Sequence, residues 1–200
     1  ALAYASFPLA QLITLQGGLQ VLNQVAPPQV VVGYVMARTL MRMIIQLGVV
    51  INNALNPEIS RQAGRGDLVA TRNFTIKVTR WVFSICACAY ATLIIIGPYF
   101  ITLWGHGKVS VSSIELSLIG LHTLPNVAWF IPAAILIATN RHIKLAAIYS
   151  TSSVITLGAW IIFSKNIDPI FGASLTLTIP ELVTALYFYS LKAIKSKQSI

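Results

Sequence analysis

Two arginines and a carboxylate stand out because each lies in a stretch otherwise too apolar to hold a charge. Arg38 and Arg42 fall within YVMARTLMRMIIQLGVVINNALNPEIS, residues 34–60, and Glu181 follows Pro180 midway through the apolar run 171–194. At about 100° per residue, with Arg38 as zero, Arg42 lies about 40° round, Gln46 about 80° and Asn53 about 60°. Asn52 and Tyr34 come to about −40°, Asn56 to about 0° and Ser60 to about 40°. The polar side chains thus form one stripe, roughly a third of the circumference, with Val, Ile, Leu and Met on the rest. An arginine at the centre of a bilayer costs about 2.5–3.5 kcal/mol on insertion scales. Two on one stripe therefore need a wet cavity or a partner, and this helix is expected to line a cationic lumen. A carboxylate at the depth of Glu181 must be protonated or paired with a cation such as Arg38 or Arg42. It is the foremost candidate for ion coupling, weighed against a static Arg–Glu pair. His122 is a second coupling candidate, weighed against a packing histidine.

The elements that must position these groups follow from composition. The 200 residues are 56% hydrophobic and 10% charged, with a mean hydropathy of +0.76; a soluble domain carries about 25% charged residues. This is the composition of an all-α membrane protein. Six apolar runs approach the ~20 residues a bilayer requires, at about 5–25, 30–55, 81–103, 114–138, 145–163 and 171–194. They predict a single bundle of six transmembrane helices over 1–200. Ten of the fourteen Lys and Arg residues fall in the loops after the second and fourth runs and in the C-terminal tail. By the positive-inside rule both termini are then cytoplasmic. The net charge of +9 is explained by that topology, so no nucleic-acid partner is expected.

Along the chain, Gln16, Gln20, Asn23 and Gln24 share a face of the first run beside Gly17 and Gly18, which allow a bend or a close helix approach. Glu58 and Arg61 are spaced for an ion pair at i, i+3. The segment RQAGRGDLVATRN after the second run reads as a basic loop or interfacial helix. Tyr99, Phe100 and Trp104 suit an interfacial belt. Pro125 and Pro132 predict a bent or broken fourth span, on which His122, Asn126 and Trp129 share a face. Cys86 and Cys88 point about 200° apart on a helix, a poor geometry for a disulfide or a metal. No phosphate-binding loop, dinucleotide turn, zinc spacing or paired-aspartate motif occurs, and Asp67 and Asp168, the two aspartates, lie in different loops. No cofactor, metal or enzymatic activity is expected.

The segments ARTLMR, NNALNPEIS, GRGDL and ATNRH, in that order, resemble the polysaccharide exporters of the multidrug, oligosaccharidyl-lipid and polysaccharide exporter superfamily, in particular Wzx-type O-antigen flippases. That resemblance implies the C-terminal bundle of a 12–14-helix exporter in the bacterial plasma membrane, with an N-terminal bundle as its partner. The implied activity is flipping of a polyprenyl-pyrophosphate-linked oligosaccharide by alternating access, alongside membrane lipids and a polysaccharide polymerase. Arg38 and Arg42 would neutralise the pyrophosphate, whose oxygens suit the planar guanidinium fork. Gln46, Asn52 and Asn53 would bond sugar hydroxyls, and Glu181 and His122 would carry the coupled proton. Two other readings compete. A drug/cation antiporter of the same superfamily calls for an acidic, aromatic lumen rather than a cationic one, and a membrane-embedded transferase calls for catalytic carboxylates or a histidine pair that the chain lacks.

Overall fold

The computed structural model describes residues 2–66, 68–138 and 141–197, with the backbone alone for residues 2–5, 56, 63, 68, 138 and 191–197. Asp67, Asn140 and the side chains of Asn56, Lys192, Lys195 and Lys197 therefore lie outside the described residues. Seven helices follow in order: α1 (Leu2–Val25), α2 (Pro28–Gly64), α3 (Leu68–Trp104), α4 (Ser113–Gly120), α5 (Thr123–Ala138), α6 (Ile143–Phe163) and α7 (Pro169–Lys197). The described residues contain no strand. Among the described residues five helical stretches are long and apolar enough to cross a membrane: 28–62, 69–104, 113–137 (α4 with α5), 143–163 and 169–190. The chain is thus an all-α, multi-pass membrane bundle. The first expected span is also a helix, but its row of amides keeps it out of those five; it packs on α6 and α7 instead.

The fourth span is broken, as its prolines predict. The break falls at Leu121–His122, four residues ahead of the position where Pro125 cannot donate a helical hydrogen bond. Local side chains take up the carbonyls at the end of α4. His122 Nδ1 bonds the Ile119 carbonyl at 2.8 Å and Thr123 Oγ1 donates to the Gly120 carbonyl at 2.7 Å. At its start α4 carries a capping box. The Glu115 amide donates to Ser112 Oγ at 3.2 Å, and the Ser112 amide donates to Glu115 Oε2 at 2.7 Å.

The basic segment after the second span is not a loop. α2 runs on to Gly64 and α3 resumes at Leu68, so Arg61 lies in α2 and Arg72, Lys77 and Arg80 lie in α3. Arg, Gln, Ala and Lys are good helix formers, and α2 gives way after Gly64 to a turn in which Gly66 has a positive φ of 80°. A face of buried Thr71, Thr75, Thr79, Val82 and Cys86 runs along α3, and Ile59 is buried on α2. Thr75 and Thr79 bond back to the carbonyls four residues earlier, which lets hydroxyls pack without unmatched donors. The expected Glu58–Arg61 pair forms and is bidentate, at 2.9 Å in both arms.

Exposed Trp81 and Trp104 bracket the apolar part of α3, about 35 Å apart at 1.5 Å per residue. Cys86 Sγ lies 3.8 Å from the Ile44 carbonyl across the α2–α3 interface. In that antiparallel register Arg38 and Arg42 stand near the midpoint of the bracketed stretch, and Glu58 and Arg61 stand beyond Trp81. The main core joins α2, α3, α4 and α5 through Leu40, Met41, Ile44, Val82, Leu116, Ile119 and Val127. A second cluster joins α5, α6 and α7 through Trp129, Leu145, Tyr149, Ala185 and Phe188. The glycine pair of α1 allows close approach: a Cβ at Gly17 would lie 2.6 Å from Leu157 of α6, and one at Gly18 2.9 Å from Thr176 Oγ1 of α7.

Candidate functional site

α1 packs closely on α6 and α7 but touches α2 sparsely. The gap between α1 and α2 is a cleft floored by α5, α6 and α7, and it holds two adjoining cavities. The smaller, about 80 Å³, is lined by Gln11, Thr14, Arg38, Arg42, Gln46, His122, Tyr149 and Glu181 among others. The larger, about 440 Å³, lies toward the basic end and is lined by Phe7, Gln11, Asn52, Asn53, Ser60, Asn126, Trp129, Phe130 and Tyr149 among others. Gln11, Ile45, Val49 and Tyr149 line both. The structure therefore brings Arg38, Arg42, Gln46, His122 and Glu181 to one cavity and puts Asn52 and Asn53 on the wall of its neighbour.

The two arginines are not equivalent. Arg38 is half-buried; its Nη1 donates to the Leu15 carbonyl of α1 at 3.0 Å, and its guanidinium lies 5.8 Å from the Tyr34 ring centre. Tyr34 is buried and donates to the Ala173 carbonyl of α7 at 3.3 Å. Arg38 is thus a strut across the cleft. Arg42 is exposed, as are Gln46 and Asn53, and it makes no hydrogen bond or ion pair among the described residues. It is the cation with donors to spare. Asn52 is 4% exposed, and its Oδ1 has no hydrogen-bond partner among the described residues.

The static Arg–Glu pair weighed against coupling at Glu181 does not form. Glu181 is buried and makes no ion pair with either arginine. Instead Trp129 Nε1 donates to its Oε2 at 2.7 Å and Tyr149 Oη donates to its Oε1 at 3.1 Å. The physical reason is reach. Arg38 is held toward α1 by Leu15 and Arg42 points to the open side, whereas Trp129, Asn126 and Tyr149 project from the helices packed on α7. Trp129 is further clamped by Phe7, stacked at 5.8 Å, and by Tyr149 at 5.7 Å. Pro180 precedes Glu181 and leaves the Thr176 carbonyl without its helical donor. His122 is buried at the α4–α5 break, and its Nδ1–H is committed to Ile119.

Trp129 and Asn126 were legible as one face of the fourth span. Tyr149 had no sequence signal, being one aromatic in a Ser/Thr-rich stretch. Gln16, Gln20, Asn23 and Gln24 are all exposed on α1. Arg42, Gln46 and Asn53 are exposed on α2, so both helices flanking the cleft present polar side chains outward. Among the described residues no group of three or more His, Cys, Asp or Glu side chains is placed to hold a metal ion.

Comparison with known proteins finds no family that matches the chain, and no match among curated proteins or solved structures.

Proposed function

We propose that the chain moves a lipid-linked anionic saccharide across the membrane. In full, the reading is flipping of a polyprenyl-pyrophosphate-linked oligosaccharide for O-antigen or another surface polysaccharide, across the bacterial plasma membrane, by alternating access. One observation carries it: a free arginine and an anchored one stand at mid-membrane on the wall of a cleft that also presents amides, hydroxyls and aromatic rings. Guanidinium forks bind phosphate oxygens at two points, and charges this costly to insert are kept for a pathway. An open-sided cleft lets a saccharide pass while its lipid chain stays in the bilayer. The polar outer faces of α1 and α2 call for a second bundle, the partner that the exporter resemblance implies. No chemistry on the substrate is proposed; Glu181 and His122 are the groups in the cleft that could carry a coupled proton.

The test is export of surface polysaccharide in a flippase-null strain complemented by variants of the protein. Arg42→Ala is expected to abolish export while the protein still inserts, and Arg42→Lys to restore part of it, because a point charge replaces a fork. Arg38→Ala is expected to lose both export and some stability, since it also removes the tie to Leu15. Normal export in all of these variants would refute the role of the cleft.

A further inference from the structure

The larger cavity is lined for something other than phosphate. An anion needs donors alone and a cation needs acceptors alone, but the polar wall here includes four amides, Gln11, Asn52, Asn53 and Asn126, and the Ser60 hydroxyl, each able to donate and accept. We infer that this cavity is a sugar subsite, which takes the pyranose ring next to the phosphate of an anionic saccharide whose phosphates meet Arg38 and Arg42. The inference rests on the function proposed above and specifies which part of the substrate each cavity holds.

Four features agree. Sugar hydroxyls are themselves paired donors and acceptors, the complement of an amide cluster. Asn52 Oδ1 is buried without a partner among the described residues; an acceptor left so is costly, and turning this cavity-lining amide toward a ligand hydroxyl would match it. Phe7 and Phe130 are half-buried at the cavity wall, and their electron-rich faces suit the C–H face of a sugar ring. The volume of about 440 Å³ falls in the lower part of the range for small-molecule sites.

An organic cation fits less well despite the aromatic wall. Glu181 is the carboxylate of the cleft, yet it does not line this cavity, and both its oxygens are taken by Trp129 and Tyr149. The two arginines stand across the shared wall, in the neighbouring cavity. Those bonds also explain how the subsite keeps its shape. Trp129 and Tyr149 are pinned to Glu181 at their polar ends and to Phe7 at their faces, which leaves Phe7 and Phe130 as the rings a ligand can meet. Because Gln11, Ile45 and Val49 border both cavities, one ligand can fill them together.

The experiment is titration calorimetry on the protein in lipid nanodiscs. The probes are inorganic phosphate, the 1-phosphates of glucose, galactose and N-acetylglucosamine, and choline. At least one sugar phosphate should bind tenfold or more tighter than phosphate. That advantage should vanish in Asn52→Leu and Phe130→Ala, with phosphate affinity unchanged. Asn53→Leu, at an exposed position that the fold does not depend on, should reduce it several-fold. Arg42→Ala should weaken phosphate and every sugar phosphate alike. If all sugar phosphates bind no better than phosphate, or if the advantage survives the Asn52, Asn53 and Phe130 changes, the subsite is refuted while the phosphate site stands. Sugar-dependent binding with no phosphate contribution would uphold the subsite and refute the anionic-lipid reading. Choline binding that Phe7→Ala or Phe130→Ala removes would overturn the subsite in favour of a cation site.

Discussion

The cluster around Glu181 makes a prediction that reverses sign with background. Tyr149 Oη donates to Glu181 Oε1 at 3.1 Å, with Trp129 Nε1 as the other donor. In the wild-type protein Tyr149→Phe deletes one bond to an acceptor that keeps its bond from Trp129, a loss of about 1–2 kcal/mol. Glu181→Leu leaves two buried donors without their acceptor at about 1–3 kcal/mol each, so it should destabilise by at least about 2 kcal/mol. In that background Tyr149→Phe removes one stranded hydroxyl and should recover about 1 kcal/mol or more. The assay is thermal unfolding in nanodiscs followed by tryptophan fluorescence, on which 1 kcal/mol corresponds to about 2–4 °C for a chain of this size. Tyr149→Phe is thus expected to lower Tm by a few degrees alone and to raise it beside Glu181→Leu. The double-mutant cycle isolates the contact from general effects of either change. An equal loss in both backgrounds would refute the Glu181–Tyr149 bond and, with it, the account of how the cleft floor is held.

Two further outcomes are expected. With Cys86 and Cys88 replaced by Ala, a cysteine at Gln46 or Asn53 should react with a water-soluble thiol reagent in membranes and one at Leu47 should not; equal labelling at all three would place the stripe outside any wet cleft. Glu181→Gln should reduce polysaccharide export more than Glu58→Gln, because Glu58 serves only an exposed pair with Arg61 and Gln62; equal effects would remove Glu181 from coupling.

What the sequence could disclose depended on whether one helix sufficed to define the feature. The stripe of Arg38, Arg42 and Gln46 is a property of α2 alone, so its angular order survives folding. The break at His122 likewise follows from Pro125 within one span. Glu181 was legible as a buried carboxylate, but its donors come from α5 and α6, 52 and 32 residues away. Opposite charge was the natural guess for its partner, and neutral donors won because the arginines are oriented elsewhere. The basic stretch 61–80 misled in another way. Its charges obey the topology rule, yet the spacing of Thr71, Thr75, Thr79 and Val82 is that of a continuing helix face. Threonines disguise such a face because it is not hydrophobic by composition.

The length of α2 has a mechanical consequence. Its 37 residues make a rod of about 55 Å, against a hydrocarbon core of about 30 Å. Gly64 lies 22 residues beyond Arg42, a lever arm of about 33 Å, stiffened by the threonine face of α3. A tilt of about 10° around the level of the arginines, small for a rocking helix, would swing the hairpin tip by about 6 Å at that arm length. Leverage also runs in reverse. A modest force at the tip, where Arg61, Arg65 and Arg72 cluster, acts on the cleft with the mechanical advantage of a long handle on a short jaw.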